Sequence, residues 1–428
     1  ARSMFDEVGE ADLTGEIGKQ DTDAFLRTLA DELTSLPKSV AGNPVKAILY
    51  VLNTRFRLMG DHFRAQCVRW TEHLRRGKAL IAAAVDPRSY LPSRGETLQL
   101  TSENIAALKS YFLNHTGNTD SVMGDLLRAV KELFQGVYPN QLHPILEVRS
   151  FFAGLCEKLG SRLAIQAYLT PHKDLIGSSI ALYLLESGSN LAVARTLFED
   201  AVEDTDEIGY KKVTGLKARA SGKPIVAFLE TNSDALRSIE TIREALAGYR
   251  HLPSDDDANM LFLLTKGSHL QAVKADWFRE WFKGQIRTID GLSALELTPN
   301  MLRPSVLLQA ALEQNGRFRK AIMLAQHGES VAGSYYFRFP VRFLHDAEIR
   351  SYMTTAETIA VHRLPDGATY LNISQEEFDV RVAAVKNIGL GTGCKNPDAK
   401  PGHEGATCDS PDCFNCPNVF LIAEPENV

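Results

Sequence analysis

The 428-residue chain has no uninterrupted apolar run approaching the ~18–20 residues of a membrane-spanning helix, so no membrane span is expected. Cysteine is scarce. Six thiols are too few to staple a chain of this length, and a reducing compartment is expected. Excess positive charge is missing too: 47 Lys and Arg stand against 53 Asp and Glu, a net −6, which argues mildly against a nucleic-acid binder. The bias that keeps chains unfolded is absent, with 44% hydrophobic and 23% charged residues. No internal repeat or low-complexity tract is present. The opening ARSMFDEVGEADLTGE carries no apolar h-region, so no secretory signal is expected there. The length suggests roughly two to four domains.

Net charge averages over regions that differ. Residues 1–23 carry seven acids against Arg2 and Lys19 and read as a disordered or partner-binding arm. Residues 55–78 carry Arg55, Arg57, Arg64, Arg69, Arg75, Arg76 and Lys78 against Asp61 and Glu72. A phosphate backbone responds to local charge, so this stretch is a candidate DNA-binding face. A solvated basic face on an amphipathic helix is an equal reading of the same run.

The periodicity predicts a mainly α chain with a small β-hairpin or sheet. Apolar residues three and four apart predict helices in DAFLRTLADELTSL and in the long run from NPVKAILY to ALIAAA. VDPRSYLPSRGE is a turn-rich break. LTSENIAALKSYFLNH follows, with Thr101 or Ser102 as N-cap. SVMGDLLRAVKELFQGV and PILEVRSFFAGLCEKLG also read as helices, and so does DLIGSSIALYLLESGSNLAVARTLFEDAV. GYKKVTGLKARASGKPIVAFLE (209–230) then reads as a small hairpin or ribbon, with Lys211 and Lys212 in its basic first half. Residues 233–330 are expected to be helical, broken by HLPSDDD and a Gly291 turn. After residue 340 the expectation is a short helix, strands at IAVHRL and ATYLNIS, a further helix and a cysteine-rich tail.

The densest chemistry lies in LTPNMLRPSVLLQAALEQNGRFRKAIMLAQHGESVAGSYYFRFP (297–340). Arg303 opens a helix with Pro304 in its first turn, and Asn315-Gly316 is the expected stop. A second short helix leads to His327-Gly328, and Tyr336 follows His327 by nine residues. In this arrangement the chain resembles the tyrosine recombinase (phage integrase) family. That family's signature runs from an arginine at a helix start, through a Leu-x-x-His turn, to a nucleophilic tyrosine nine residues after the histidine. The resemblance covers about residues 165–340.

The resemblance implies a catalytic domain at 161–345 and a DNA-clamping helical domain at 24–160. The acidic arm 1–23 precedes them, and a C-terminal extension, 346–428, follows. It gives Tyr336 as nucleophile, with Arg303 and His327. Lys217 is the hairpin lysine, with Lys223 as the alternative. Two positions depart from the family. Asn190, in SGSNLAVARTL, stands where its first arginine belongs, and Asn300, in NMLR, stands where the histidine of His-x-x-Arg belongs. Arg219 beside Lys217 is the candidate replacement cation.

These residue types suit the reaction. Arginine forks match the non-bridging oxygens of a phosphodiester and stay charged. A tyrosine hydroxyl, with an ordinary pKa of about 10, needs a base or a positive field before it attacks. Lysine can protonate the leaving oxygen, and positioned cations stabilise the growing charge, so no cofactor is needed. The product in the family is a 3′-phosphotyrosyl bond that keeps bond energy for rejoining. The resemblance also implies double-stranded DNA as partner, a homotetramer on DNA or related recombinases of one mobile element, and a bacterial cytoplasmic, nucleoid-associated setting.

Cys394, Cys408, Cys413 and Cys416 crowd the tail as C-x13-C-x4-C-x2-C, with His403 nearby. Soft thiolates at this density on Gly/Pro-rich knuckles suit a structural tetrahedral zinc. Reduced free thiols or one disulfide is the plainer alternative. Two other functions fit the sequence: a catalytically degenerate recombinase-fold DNA-binding protein, and a helical interaction scaffold with a zinc knuckle.

Overall fold

Helix α1, Pro44–Ala83, runs unbroken for 40 residues, about 60 Å of rise. The sequence sustains it because Ala47, Ile48, Val51, Leu52, Met59, Phe63, Cys67, Trp70 and Leu74 recur at helical spacing and are all buried. The computed structural model describes residues 28–29, 31–32, 44–92, 98–139, 143–217, 223–266, 269–313, 357–358, 361, 366–384, 386–387, 392–394, 399–400, 403–404 and 419–421. The chain divides into two compact units, 1–337 and 338–428. The described residues are mainly helical, with small antiparallel sheets. No described helix is long and apolar enough to cross a membrane.

In the first unit, α2 (Ser102–Leu113), α3 (Thr119–Leu133), α4 (Leu146–Leu159) and α5 (Arg162–Gln166) close around one core. Leu108, Leu126, Leu127, Val130, Tyr138, Phe152 and Ile165 fill it, each aliphatic side chain contributing about 1.5–3 kcal/mol of burial. Thr101 is the N-cap of α2, its hydroxyl accepting from the Asn104 amide. The buried Asp125 carboxylate ties three elements together. It accepts from the Val85 amide at 2.7 Å, the Tyr111 hydroxyl at 2.6 Å and His115 Nε2 at 2.8 Å.

Helix α6 (Lys173–Ser187) is apolar on nearly every side, as befits a helix enclosed by others. It packs against α1 and against α8 (Asp234–Leu246), α9 (Ala275–Ile286) and α10 (Leu302–Glu313). Contact with α9 is close: a Cβ on Gly177 would lie 2.6 Å from the Trp281 ring. Residues on both sides of position 160 therefore pack on α1, against α3 on one side of that position and α6 on the other.

A three-stranded antiparallel sheet, β1 (Val202–Asp204), β2 (Tyr210–Lys217) and β3 (Lys223–Glu230), occupies the hairpin region. Val213, Ala227 and Leu229 point inward while Tyr210 and Phe228 stay exposed, the period-two alternation of a half-buried sheet.

Three expectations of the sequence need correction. The helix expected through residue 202 stops with the short α7 (Leu191–Arg195), and Val202 already belongs to β1. The segment expected to be helical after residue 233 contains a hairpin, β4 (Leu263–Lys266) paired with β5 (His269–Ala272). Its inner residues Leu263 and Leu270 are buried, and Gly267-Ser268 between the strands is a two-residue hairpin signal.

The third concerns ATYLNIS in the second unit, which is not a strand: Gly367–Tyr370 is a helical turn, α11. Asn372, at φ 53°, lets the Ile373 amide reach the Ala368 carbonyl and the Asn372 amide reach that of Thr369, a Schellman closure. Of IAVHRL only Val361 lies among the described residues, and it is helical. Helix α12 (Gln375–Ala384) follows, then short strands. β6 (Lys386–Asn387), β7 (Thr392–Cys394) and β10 (Val419–Leu421) form one sheet, and β8 (Ala399–Lys400) pairs with β9 (His403–Glu404).

Candidate functional site

The corner between α6 and α7 is built from Ser187-Gly188-Ser189-Asn190. Gly188 takes the left-handed conformation, φ 62°, that ends α6. Ser187 donates to the Tyr183 carbonyl at 2.5 Å and accepts from the Ser189 amide at 3.1 Å, while the Ser189 hydroxyl donates to Tyr183 Oη at 3.3 Å. Tyr183 is fully buried, and burial pushes its phenol pKa up, so it serves as a neutral hydrogen-bond post. Asn190 then caps α7, its Oδ1 accepting from the Val193 amide at 3.0 Å.

Arg303 meets this corner from α10. Its Nη1 donates to the Gly188 carbonyl at 2.6 Å, and the residue is 8% exposed. Val306, one turn on, packs so closely that a Cβ on Gly188 would lie 3.1 Å from its Cγ1. Asn300 sits just upstream in the 3-10 turn Pro299–Met301 that leads into α10.

The sheet completes the approach. Gly215 of β2 lies against Val193 of α7, where a Cβ would stand 2.4 Å from Val193 Cγ1. Lys217 ends β2, its Cα paired with that of Lys223. The structure thus brings the Asn190 corner and the Arg303 helix start together, and Gly215, two residues before Lys217, packs on α7. Arg219, His327 and Tyr336 lie outside the described residues.

The candidate DNA-binding residues are largely neutralised by acids. Arg55 is buried, 2% exposed, and bonds Glu32. Arg57 faces Asp61 at 3.8 Å. Arg64 holds both Asp61 at 2.8 Å and Asp234 of α8 at 2.5 Å, and the Asp234 bond holds its pKa above the ordinary arginine value. Arg75 pairs with Glu72, Arg76 with Asp120 of α3, and Lys78 with Glu244 of α8 at 2.6 Å. Arg69 lies over the Trp70 ring, 4.9 Å from its centroid. On the sheet, Lys211 bonds Asp204 and Lys212 bonds Glu203. Asp234 and Glu244 are about 160 residues or more from the basic run in sequence, so spacing gave no sign of these pairs.

Cys394 lies on β7, while Cys408, Cys413 and Cys416 lie outside the described residues. Among the described residues no group of three or more His, Cys, Asp or Glu side chains could hold a metal ion. Asp257 accepts from the Ala272 amide at 2.9 Å, so this member of the Asp255-Asp256-Asp257 run braces the β5 hairpin. Sequence reasoning missed the Tyr183, Ser187 and Ser189 network. The Ser-Gly-Ser-Asn turn signal was its visible trace.

No protein-family model, curated protein or solved structure matches this chain.

Proposed function

We propose that the chain is a DNA strand-exchange enzyme of the tyrosine recombinase type, acting on double-stranded DNA through a 3′-phosphotyrosyl intermediate on Tyr336. The Arg303–Gly188 hydrogen bond carries this reading. It joins the arginine of the Arg303–His327–Tyr336 series to the corner where a second phosphate-binding residue is expected, and Lys217 lies on the strand whose Gly215 packs on α7. Arg303 and Lys217 would hold and protonate the phosphodiester, His327 would relay a proton, and Tyr336 would attack. Arg219 would add positive charge.

The resemblance implies the setting: a bacterial mobile element, a homotetramer or related recombinases assembled on DNA, and the nucleoid. The four tail thiols would hold a structural zinc, measurable as one equivalent of zinc per chain that depends on Cys413 and Cys416.

The deciding experiment is covalent trapping on nicked duplexes carrying candidate sites from the element that encodes the chain. The wild type should give an adduct that survives denaturation, and Tyr336→Phe should give none. Equal adduct in both sinks the assignment. A second reading, DNA binding without chemistry, is favoured by one observation: Asn190 is uncharged and its Oδ1 is committed to capping α7. DNA binding that falls steeply with salt, with no adduct, would select it. A scaffold would show neither.

A further inference from the structure

We propose that the cleft between α2, α3 and the turn after α1 is a binding site for a small organic ammonium ion, a protonated amine on an apolar body. The cleft has a volume of about 620 Å³, within the range of small-molecule sites. Tyr90, Ser110, Tyr111, His115, Ser121 and Asp125 are among the residues that line it. None of the described residues in its lining belongs to the strand-exchange reading.

The lining carries one formal charge, and that charge is negative. Asp125 is 1% exposed, and its partners are the Val85 amide, the Tyr111 hydroxyl and His115 Nε2. None of the three brings a positive charge. His115 Nδ1 accepts from the Gly117 amide at 2.9 Å, so the ring proton sits on Nε2 and the imidazole is neutral. Burial, and after it the Asp125 hydrogen bond, push the Tyr111 phenol up to about 12, and burial raises that of Tyr90 as well. Arg128, one turn along α3, is committed to the Ala84 carbonyl at 2.7 Å and to Asp86 at 3.1 Å.

A buried carboxylate held only by neutral donors is costly, and a cleft lined by one sign of charge concentrates the opposite ion. Tyr90 and Tyr111, stacked at 3.8 Å, add an aromatic wall that attracts a cation over a ring face and packs an apolar body. The hydroxyls of Ser110 and Ser121 can accept from the ammonium hydrogens. An anion would meet the Asp125 charge with no cation in the lining to offset it.

The test is titration calorimetry of the full chain with phenethylamine and with phenethyl alcohol, which has the same ring and no charge. The amine should bind at least about tenfold more tightly than the alcohol, the scale of a hydrogen bond to a charged group. Asp125→Asn should erase that preference. Ser110→Trp, at an exposed position of α2, should melt with the wild type and abolish binding by filling the cleft. Should Asp125→Asn fail to fold, Ser110→Trp decides. An amine that does not bind, one that binds no better than the alcohol, a preference that survives in folded Asp125→Asn, or unchanged binding in Ser110→Trp overturns the inference. The strand-exchange reading stands or falls separately, on the Tyr336 adduct.

Discussion

The Arg303 guanidinium crosses 115 residues of sequence to donate to the Gly188 carbonyl at 2.6 Å. A buried cation is thereby set against a backbone oxygen at a helix C-terminus, where carbonyls carry partial negative charge. The bond fixes the start of α10 to the end of α6.

Arg303→Ala should remove that donor and leave the carbonyl unpaired, costing about 1–3 kcal/mol in a denaturant melt. Adduct formation should fall about 100-fold or more. Arg303→Lys keeps the charge without the planar fork and should fall between the wild type and the alanine variant in both measurements. An alanine variant as stable and as reactive as the wild type would remove Arg303 from the site.

Gly77→Ala tests how α1 docks. In an exposed helix interior this change stabilises by roughly 1 kcal/mol. Here a Cβ would stand 2.1 Å from the Tyr168 carbonyl oxygen, which is backbone and cannot swing aside. The sign should therefore reverse, with a loss of about 1–3 kcal/mol in chemical unfolding.

Acid should loosen the same contact. His73 stacks on Tyr168 at 3.6 Å and lies 3.1 Å from the Ala164 carbonyl, a bond it makes as a neutral Nε2–H donor. Burial lowers its pKa below the ordinary 6.5, the Ala164 bond opposes this, and the charges of His172, Arg76 and Arg69 lower it further. A base with a depressed folded-state pKa gives stability that is present above pH 6.5 and lost as pH falls through the folded value. His73→Gln can still donate to Ala164 and should flatten the acid side of the stability profile. An unchanged profile would refute the assignment.

The ion pairs between α1 and α8 predict a competition. Asp234→Asn with Glu244→Gln would release Arg64 and Lys78 from their partners on α8. If phosphates use these cations, DNA affinity should rise, and the log–log salt slope should steepen by up to about 1.8, at ~0.9 per phosphate contacted. No change in slope would mean that DNA does not reach this face.

Legibility in the sequence followed the range of the interactions. The 209–230 hairpin was visible because glycine, serine and alternating β-formers are local signals, and the register Val213↔Ala227 puts the expected apolar face inward. Helix α1 was visible because its buried stripe repeats every three or four residues. The hairpin at Leu263–Ala272 was lost because a short apolar run such as LFLL reads equally as helix or strand, and only pairing with β5 decides. ATYLNIS misled through its β-branched content; a left-handed Asn372 closing a helical turn outweighed it. At the candidate site, Arg303 at a helix start could be read, but the Gly188 carbonyl as its anchor could not, since any backbone oxygen looks alike in a sequence. Asp61 and Glu72 could be read within the basic run, but the acids that α3 and α8 bring against it were invisible, arriving through folding alone.

Helix α1 has a practical consequence for anyone cutting this chain. A fragment beginning near residue 160 keeps every candidate catalytic position but discards the helix whose Phe63 ring lies 5.8 Å from Trp281 and 5.9 Å from Phe282. A fragment ending there keeps α1 and strips Trp281 and Phe282 from Phe63 and His172 from Trp70. The helix is a party wall: each half leans on it, and neither stands alone once the other has been taken down.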